Sequence, residues 1–167
     1  MKYICTPISE KTIRELKVGD MIMISGYIYA GRDAVLPKMV ELVKQNRLFE
    51  YGIDLQGSVI FHTAVSPAGV GPTSSNKLEI ESSIPPLSAA GVKLHLGKGA
   101  LSVNTIHDLD QYGSVYAVIP PVTALLGSKT FEQTVVAFPE EGMEAFYRLK
   151  VDGYPALIAA AHGKSIF

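Results

Sequence analysis

Nine consecutive residues, Met21-Ile22-Met23-Ile24-Ser25-Gly26-Tyr27-Ile28-Tyr29, form a nearly continuous apolar run after the turn signal Lys17-Val18-Gly19-Asp20. A short apolar run that begins at a turn predicts a β-strand. Because the run carries so few polar side chains, we expect both of its faces to be covered, as in a parallel sheet flanked by helices.

The elements around this strand predict a mixed α/β fold. Apolar residues recur at helical spacing after Asp33, which is a candidate helix cap, and Pro37 falls in the first turn. Strand and helix alternate in the middle of the chain, which favours parallel pairing, whereas the last third is strand after strand, which favours antiparallel pairing. We expect one domain over residues 1–167. Further strands are predicted over 58–65, 90–96, 114–119, 133–138, 145–151 and 156–160, and helices over 9–17, 100–112 and 122–126. The helix after Asp33 is predicted to end within 45–47, and the Pro-, Gly- and Ser-rich stretch 66–86 is predicted to be irregular.

Composition bounds the function. Hydrophobic residues make up 47% of the chain and charged residues 19%, so a sizeable core can form. The net charge of -1 gives no electrostatic footprint for nucleic acid or an anionic membrane. The N-terminus lacks a signal-peptide apolar region, and the expectation is a soluble cytoplasmic protein. The single cysteine, Cys5, excludes an internal disulfide and a cysteine-held metal cluster within this chain alone.

Three segments bring a cationic side chain to a strand-to-helix junction. They are Tyr29-Ala30-Gly31-Arg32-Asp33, Gly71-Pro72-Thr73-Ser74-Ser75-Asn76-Lys77 and Gly97-Lys98-Gly99. Ligands of α/β sheets bind at the carboxyl ends of the parallel strands, and helix N-termini add positive potential there. A guanidinium offers the two-pronged donor that a carboxylate fits. These segments therefore suit a small carboxylate or phosphate.

Each of these features also has a simpler structural interpretation. Arg32 and Asp33 could form a surface ion pair, Gly71–Ser75 could be a turn followed by a helix cap, and Gly97-Lys98-Gly99 could be a tight turn with a solvated lysine. Of the four histidines, His62 and His95 lie in apolar strands, which favours packed or hydrogen-bonded core roles. His107 is expected on a helix surface and His162 in a turn. Their spacing does not indicate a metal site.

A series of segments in a fixed order resembles a known family. The order and spacing of these segments are similar to those of the C-terminal domain or β subunit of class I fumarases and L-tartrate dehydratases. The segments are Leu16–Asp20, Ser25–Ala34, Asp54–Ile60, Gly71–Ser75, Gly97–Gly99, Phe138–Ala145 and Val151–Ala156.

The resemblance implies a fold, a cofactor and a partner. The fold is a three-layer β/β/α "swivelling" domain with a mixed, partly parallel sheet. The cofactor is a [4Fe–4S] cluster that three cysteines of a separate α subunit hold, so this chain binds no metal and is inactive alone. The reaction is the reversible hydration of fumarate to (S)-malate. A single cysteine in this chain agrees with that division.

The resemblance also assigns roles to residues. Thr73 is expected to take part in proton transfer, and Arg32 and Lys98 are expected to bind the substrate carboxylates. Ser74 and Lys77 are expected to contact substrate as well, although Ser74 replaces the family's second threonine and Lys77 its arginine. An ammonium is a point charge rather than a fork, so this change bears on substrate geometry.

Other functions remain open at this stage. The chain could be an L-tartrate dehydratase β subunit, or a non-catalytic domain that binds a small anion. A hydrolase that uses Ser74 or Ser75 with a histidine is a further alternative, but the nucleophile-elbow motif is absent from the sequence. Partners are expected to be the α subunit, a small dicarboxylate and, as a further possibility, a second copy of the chain.

Overall fold

The computed structural model describes residues 1–66, 69–73, 77–119 and 123–167; for 69, 71–73, 77, 79, 123 and 124 it describes the backbone. Ten strands and five α-helices are defined in this part of the chain. The strands are β1 Lys2–Cys5, β2 Met21–Ala30, β3 Val59–Phe61, β4 Thr63–Ser66, β5 Gly69–Thr73, β6 Leu94–Gly97, β7 Val115–Val118, β8 Thr130–Ala137, β9 Phe146–Ala161 and β10 Lys164–Ser165. The helices are α1 Glu10–Glu15, α2 Leu36–Lys44, α3 Lys77–Ala89, α4 Val103–Gln111 and α5 Thr123–Ser128, and 3₁₀ helices span Leu48–Tyr51 and Pro139–Glu144. Within the described ranges, no helix is long and apolar enough to cross a membrane.

The mixed α/β prediction is confirmed, and the parallel part lies where the sequence predicted it. β2, β3, β6 and β7 pair in parallel in that order, and β1 adds a further parallel strand beside β2. The apolar run 21–29 forms most of β2, and α2 and α4 lie inside or beside their predicted ranges. An eight-stranded sheet results, with β4 and β5 as a separate hairpin.

Strand β9 closes the parallel strands into a ring, which the sequence did not predict. Its first part pairs antiparallel with β2, and its last part pairs antiparallel with β7. Five strands, β2, β3, β6, β7 and β9, therefore form a closed barrel-like arrangement. β8 and β10 pair with β9 outside this ring.

The separate strands predicted over 145–151 and 156–160 are one strand, because Tyr154 and Pro155 still pair with β2 and the register shifts only opposite Ser25. Gly153 adopts a φ of 75° that favours glycine. Its N–H donates to Oγ of Ser25 at 3.0 Å, and the Ser25 hydroxyl donates to Oδ1 of Asp152 at 3.2 Å. The Ser25 side chain of β2 thus stabilises the bend of β9 at Asp152 and Gly153, residues that favour a turn by local rules.

The core has an inner part and outer parts. Alternate residues of the ring strands, such as Ile24, Phe61, Leu94 and Ile158, form one large buried cluster. The intervening residues of β3 and β7 join clusters with the helices: Ile60 packs with residues of α2 and α3, and Tyr116 with residues of α3 and α4. β3, β6 and β7 are therefore covered on both faces. The same expectation for β2 was wrong, because Met21 and Tyr27 on its outer face are 46% and 45% exposed.

Three local predictions were wrong. Residues 77–89 form α3, although Pro85 and Pro86 within the helix favoured an irregular stretch. The strand predicted over 58–65 is two strands, since β3 continues the parallel sheet and β4 leaves it to pair with β5. Asp33 does not cap α2, because the N-cap residue is Val35, with no side-chain cap hydrogen bond.

Phe61 provides a test of the ring interior. Its side chain is completely buried, with its ring edge-on to that of Tyr154 at a centroid distance of 6.2 Å. Phe61→Ala should lower the free energy of unfolding by about 3–5 kcal/mol, through lost burial and a residual cavity. Urea unfolding followed by circular dichroism measures the change. Phe49→Ala is the control, because Phe49 is 78% exposed and should change the same quantity by less than about 0.5 kcal/mol. Equal losses in the two variants would contradict the described interior.

Candidate active-site edge

The carboxyl ends of the parallel strands meet at one edge of the sheet. The Gly31 N–H donates to the carbonyl of Phe61 at 3.0 Å, and the His62 N–H donates to the carbonyl of Leu96 at 3.0 Å. These bonds continue the ladder one residue past the ends of β2 and β3. Arg32 therefore leaves the sheet beside the end of β3, at the edge where ligands of α/β sheets bind.

Lys98 lies at the same edge, in a turn that Tyr116 holds in place. It is exposed and follows β6 directly. A Cβ on Gly97 would lie 3.1 Å from the hydroxyl of Tyr116, so this position has little room for a side chain. The same hydroxyl donates to the carbonyl of Gly99 at 3.0 Å, and Gly99 has a φ of 77°. Close packing at Gly97 and the positive φ of Gly99 thus explain why a glycine stands on each side of Lys98.

Arg32 forms an ion pair that the sequence did not reveal. Its Nε lies 3.9 Å from Oε1 of Glu144, and the two side chains are 26% and 39% exposed. Glu144 ends the second 3₁₀ helix, more than a hundred residues further along the chain. A Cβ on Gly31 would approach Val35 and Phe146 to 2.9 and 3.1 Å, so the chain turns into α2 against tightly packed neighbours. The backbone before Arg32 is therefore closely packed, and Glu144 lies within ion-pair distance of its guanidinium.

Thr73 reaches the same edge through the β4–β5 hairpin. Its backbone pairs with that of Thr63, which follows His62 directly. The strand pairing thus places the segments that carry Arg32, Thr73 and Lys98 at the same edge of the sheet. The structure describes only the backbone of Thr73 and of Lys77, the first residue of α3, and Ser74 lies outside the described residues. The roles assigned to all five residues remain predictions.

Three buried side chains behind this edge, which we call the buried chain, are joined by hydrogen bonds. Nε2 of His62 is 3.1 Å from Nδ1 of His95, and Nε2 of His95 is 2.9 Å from Oγ of Ser88 on α3. Both imidazoles are completely buried. The core, hydrogen-bonded role predicted for His62 and His95 is confirmed, and His107 is exposed on α4 as expected. His95 pairs in register with Ile60, two residues before His62, so the two imidazoles project from the same face of adjacent strands.

Burial keeps both imidazoles neutral. Desolvation lowers the pKa of His62 to about 4, although the negative charge of Asp33 raises it in part. Burial, and then the neighbouring His62, lowers the pKa of His95 well below its ordinary value. Asp33, next to Arg32, thus lies close enough to His62 to act on it electrostatically, which sequence reasoning missed.

The residues of this chain do not fit a cysteine-ligated cluster. Cys5 is the only cysteine of the sequence, and it is exposed on β1. Among the described residues, no three histidine, cysteine or acidic side chains are grouped as a metal site would require. One thiolate is fewer than iron–sulfur clusters use.

Comparison with known proteins now places the chain. The family model described as the fumarase C-terminus matches residues 3–167. The chain belongs to the fumarase C-terminus family. Membership confirms the family that the ordered segments indicated.

Three relatives illustrate the range of this family. A provisionally named L(+)-tartrate dehydratase subunit beta of Methanocaldococcus jannaschii is 31% identical, over 100% of this chain and 91% of that protein. The L(+)-tartrate dehydratase subunit beta of Escherichia coli is 28% identical, over 99% of this chain and 86% of that protein. A provisionally named class I fumarate hydratase of Geobacillus stearothermophilus is 30% identical over 96% of this chain. The match covers 32% of that longer protein.

The buried imidazoles predict how stability depends on pH. Between pH 6.5 and about 4, unfolded His62 binds a proton that folded His62 does not, because its folded pKa is the lower one. The free energy of unfolding should therefore fall as the pH drops through this window, and His62 alone accounts for about 2 kcal/mol between pH 7 and pH 5. Urea unfolding at a series of pH values measures this slope.

His62→Gln should reduce that slope, because it removes one of the two buried titrating groups. His107→Gln is the control and should keep the wild-type slope, since His107 is exposed. A His62→Gln variant with the full wild-type slope would show that another group controls the acid sensitivity.

Proposed function

We propose that this chain is the β subunit of an iron–sulfur hydro-lyase that interconverts fumarate and (S)-malate. The observation that carries the proposal is the meeting of Arg32, Thr73 and Lys98 at one edge of the sheet. Family membership supports it, because relatives carry the names of a class I fumarate hydratase and of tartrate dehydratase β subunits. A second candidate is an L(+)-tartrate dehydratase β subunit, which the names of the relatives from M. jannaschii and E. coli favour.

The cations of the edge suit a dicarboxylate. A guanidinium binds a carboxylate through two parallel hydrogen bonds, and an ammonium binds one as a point charge. We assign one substrate carboxylate to Arg32 and the other to Lys98, with Ser74 and Lys77 as further substrate contacts. The substrate carboxylate would share the Arg32 guanidinium with Glu144 or displace it, since the present contact is a loose one of 3.9 Å.

The proton step is assigned to Thr73. In the dehydration of (S)-malate, a C–H bond breaks next to the hydroxyl-bearing carbon, and its electron pair forms the C=C bond. The hydroxyl group leaves and takes up a proton to form water. Negative charge develops toward the adjacent carboxylate as the proton leaves, and a fixed cation such as Lys98 stabilises that charge. Departure of the hydroxyl group is assigned to the partner subunit, because this chain lacks the ligands for a cluster.

A partner subunit is proposed on two grounds. The relatives from M. jannaschii and E. coli are named subunit beta, which implies another subunit. Strand β8 also exposes most of its residues, including Phe131 at 63% and Val135 at 41%, and among the described strands it pairs with β9 alone. Apolar side chains on an exposed edge strand suit a docking surface. We propose that the partner is a cluster-bearing α subunit and that the chain is inactive without it.

The proposal also includes a domain count, a fold classification and a cellular location. Residues 1–167 are proposed to form one domain, and the three-layer swivelling arrangement is the proposed classification of the ring and its helices. A cytoplasmic location stays a prediction of the sequence.

Reconstitution of the two-subunit enzyme tests the function. This chain should be inactive alone and should convert fumarate and (S)-malate when the cluster-bearing partner is added without oxygen. Lys98→Ala should then reduce kcat/KM at least about 100-fold, because it removes a charge-assisted contact at the developing charge. Its melting temperature should stay unchanged, since Lys98 is exposed. Lys164→Ala is the control, as Lys164 is also exposed but lies on β10. Full turnover by Lys98→Ala would contradict the assigned role, and turnover of L(+)-tartrate alone would favour the second candidate.

A non-catalytic anion-binding domain makes a different prediction. The enzyme hypothesis leaves half of the pocket to the partner, so the isolated chain should bind fumarate weakly. Isothermal titration calorimetry with fumarate and inorganic phosphate measures this affinity. Micromolar binding by the isolated chain, with no turnover after the partner is added, would replace the enzyme hypothesis with the binding-domain one.

A further inference from the structure

The buried chain of Ser88, His95 and His62 joins three separate elements. Ser88 lies near the end of α3, His95 lies in β6, and His62 follows β3. Their hydrogen bonds, at 2.9 and 3.1 Å, run across the outer face of the parallel sheet to the helix that covers it. The three side chains are 0–3% exposed.

Two of these elements lead directly toward the candidate site. β6 leads into Lys98, three residues after His95. His62 is followed by Thr63, whose backbone pairs with that of Thr73. Asp33, next to Arg32, acts on His62 electrostatically. The buried chain therefore belongs to the strands that lead into Lys98 and Thr63, and it lies within electrostatic reach of the residue after Arg32.

A stability role alone does not explain two imidazoles in this place. Ile60, the in-register partner of His95 on the same outer face, is completely buried and apolar, so apolar side chains could fill this layer. Nδ1 of His62 is buried without a hydrogen-bond partner among the residues that the structure describes, which costs stability. A directional hydrogen bond, in contrast to apolar packing, permits only one arrangement of its elements.

We propose that Ser88, His95 and His62 are positioning residues, which fix the relative placement of the segments that carry Arg32, Thr73 and Lys98. This inference rests on the proposed function for its kinetic readout. None of the three is assigned contact with substrate. A displacement of catalytic groups by about 1 Å costs about 100-fold in rate, so the effect of losing this network is measurable.

Two substitutions of His62 separate positioning from packing. The amide of Gln reaches the place of Nε2, so His62→Gln retains a hydrogen-bonding group toward His95, whereas His62→Leu fills space without one. In the reconstituted enzyme, kcat of His62→Leu should fall at least about 30-fold with KM changed less than about 3-fold. His62→Gln should retain kcat within about 3-fold. His107→Leu, on the exposed surface of α4, should match the wild type.

Measurements on the full chain without its partner give a readout that does not depend on activity. In ¹H–¹⁵N correlation spectra, the amide signals of Thr73 and Lys98 should shift in His62→Leu and stay near their wild-type positions in His62→Gln. The melting temperature of His62→Leu should be equal to or above that of the wild type, since an apolar residue replaces a buried polar one. If His62→Leu does not fold, Ser88→Ala serves instead, with an expected fall in kcat of about 10-fold.

The outcomes are distinguishable from those of the proposed function. If the wild-type pair shows no turnover of fumarate, malate or tartrate, the proposed function fails while the amide shifts still decide the positioning role. A folded His62→Leu variant with wild-type kcat and unshifted Thr73 and Lys98 amides would overturn the inference. Equal loss in the Gln and Leu variants would overturn it too, because the bond to His95 would then not be what matters.

Discussion

The antiparallel pairing of β9 with both β2 and β7 is the constraint on which the arrangement depends. One strand of 16 residues bonds to the two ends of a parallel sheet and so closes it. Closure leaves the four parallel strands without free edges and buries one face of each in a common interior. It also holds the carboxyl ends of these strands in fixed relation. Segments that are far apart in sequence therefore reach one edge of the sheet.

The elements that follow from local pattern could be predicted from sequence, and those that depend on distant contacts could not. β2 carries its own apolar signal, and α2 and α4 carry theirs. The continuity of β9 depends on Ser25, a residue of another strand, which bonds to Asp152 and Gly153 where local rules suggest a turn. α3 forms despite Pro85 and Pro86, since its buried residues Ile84 and Leu87 pack against the sheet and its neighbours. Tertiary packing outweighs local propensity at these sites.

The candidate site shows the same division. Arg32 and Lys98 could be placed because each directly follows an apolar strand, and parallel strands end together. Glu144 could not, as its contact with Arg32 depends on where the second 3₁₀ helix docks. The bond between His62 and His95 depends on the register of two strands, which a sequence pattern does not fix.

Strand β8 has a consequence for how a cell produces this protein. A strand with an exposed Phe131 and Val135 offers a template on which other extended chains add. Copies made in excess of the proposed partner would pair through this strand and be lost to aggregates or proteases. Synthesis of the two subunits in equal amounts, from adjacent reading frames of one message, would keep such copies rare. The exposed apolar residues of β8 thus favour balanced synthesis of the two subunits.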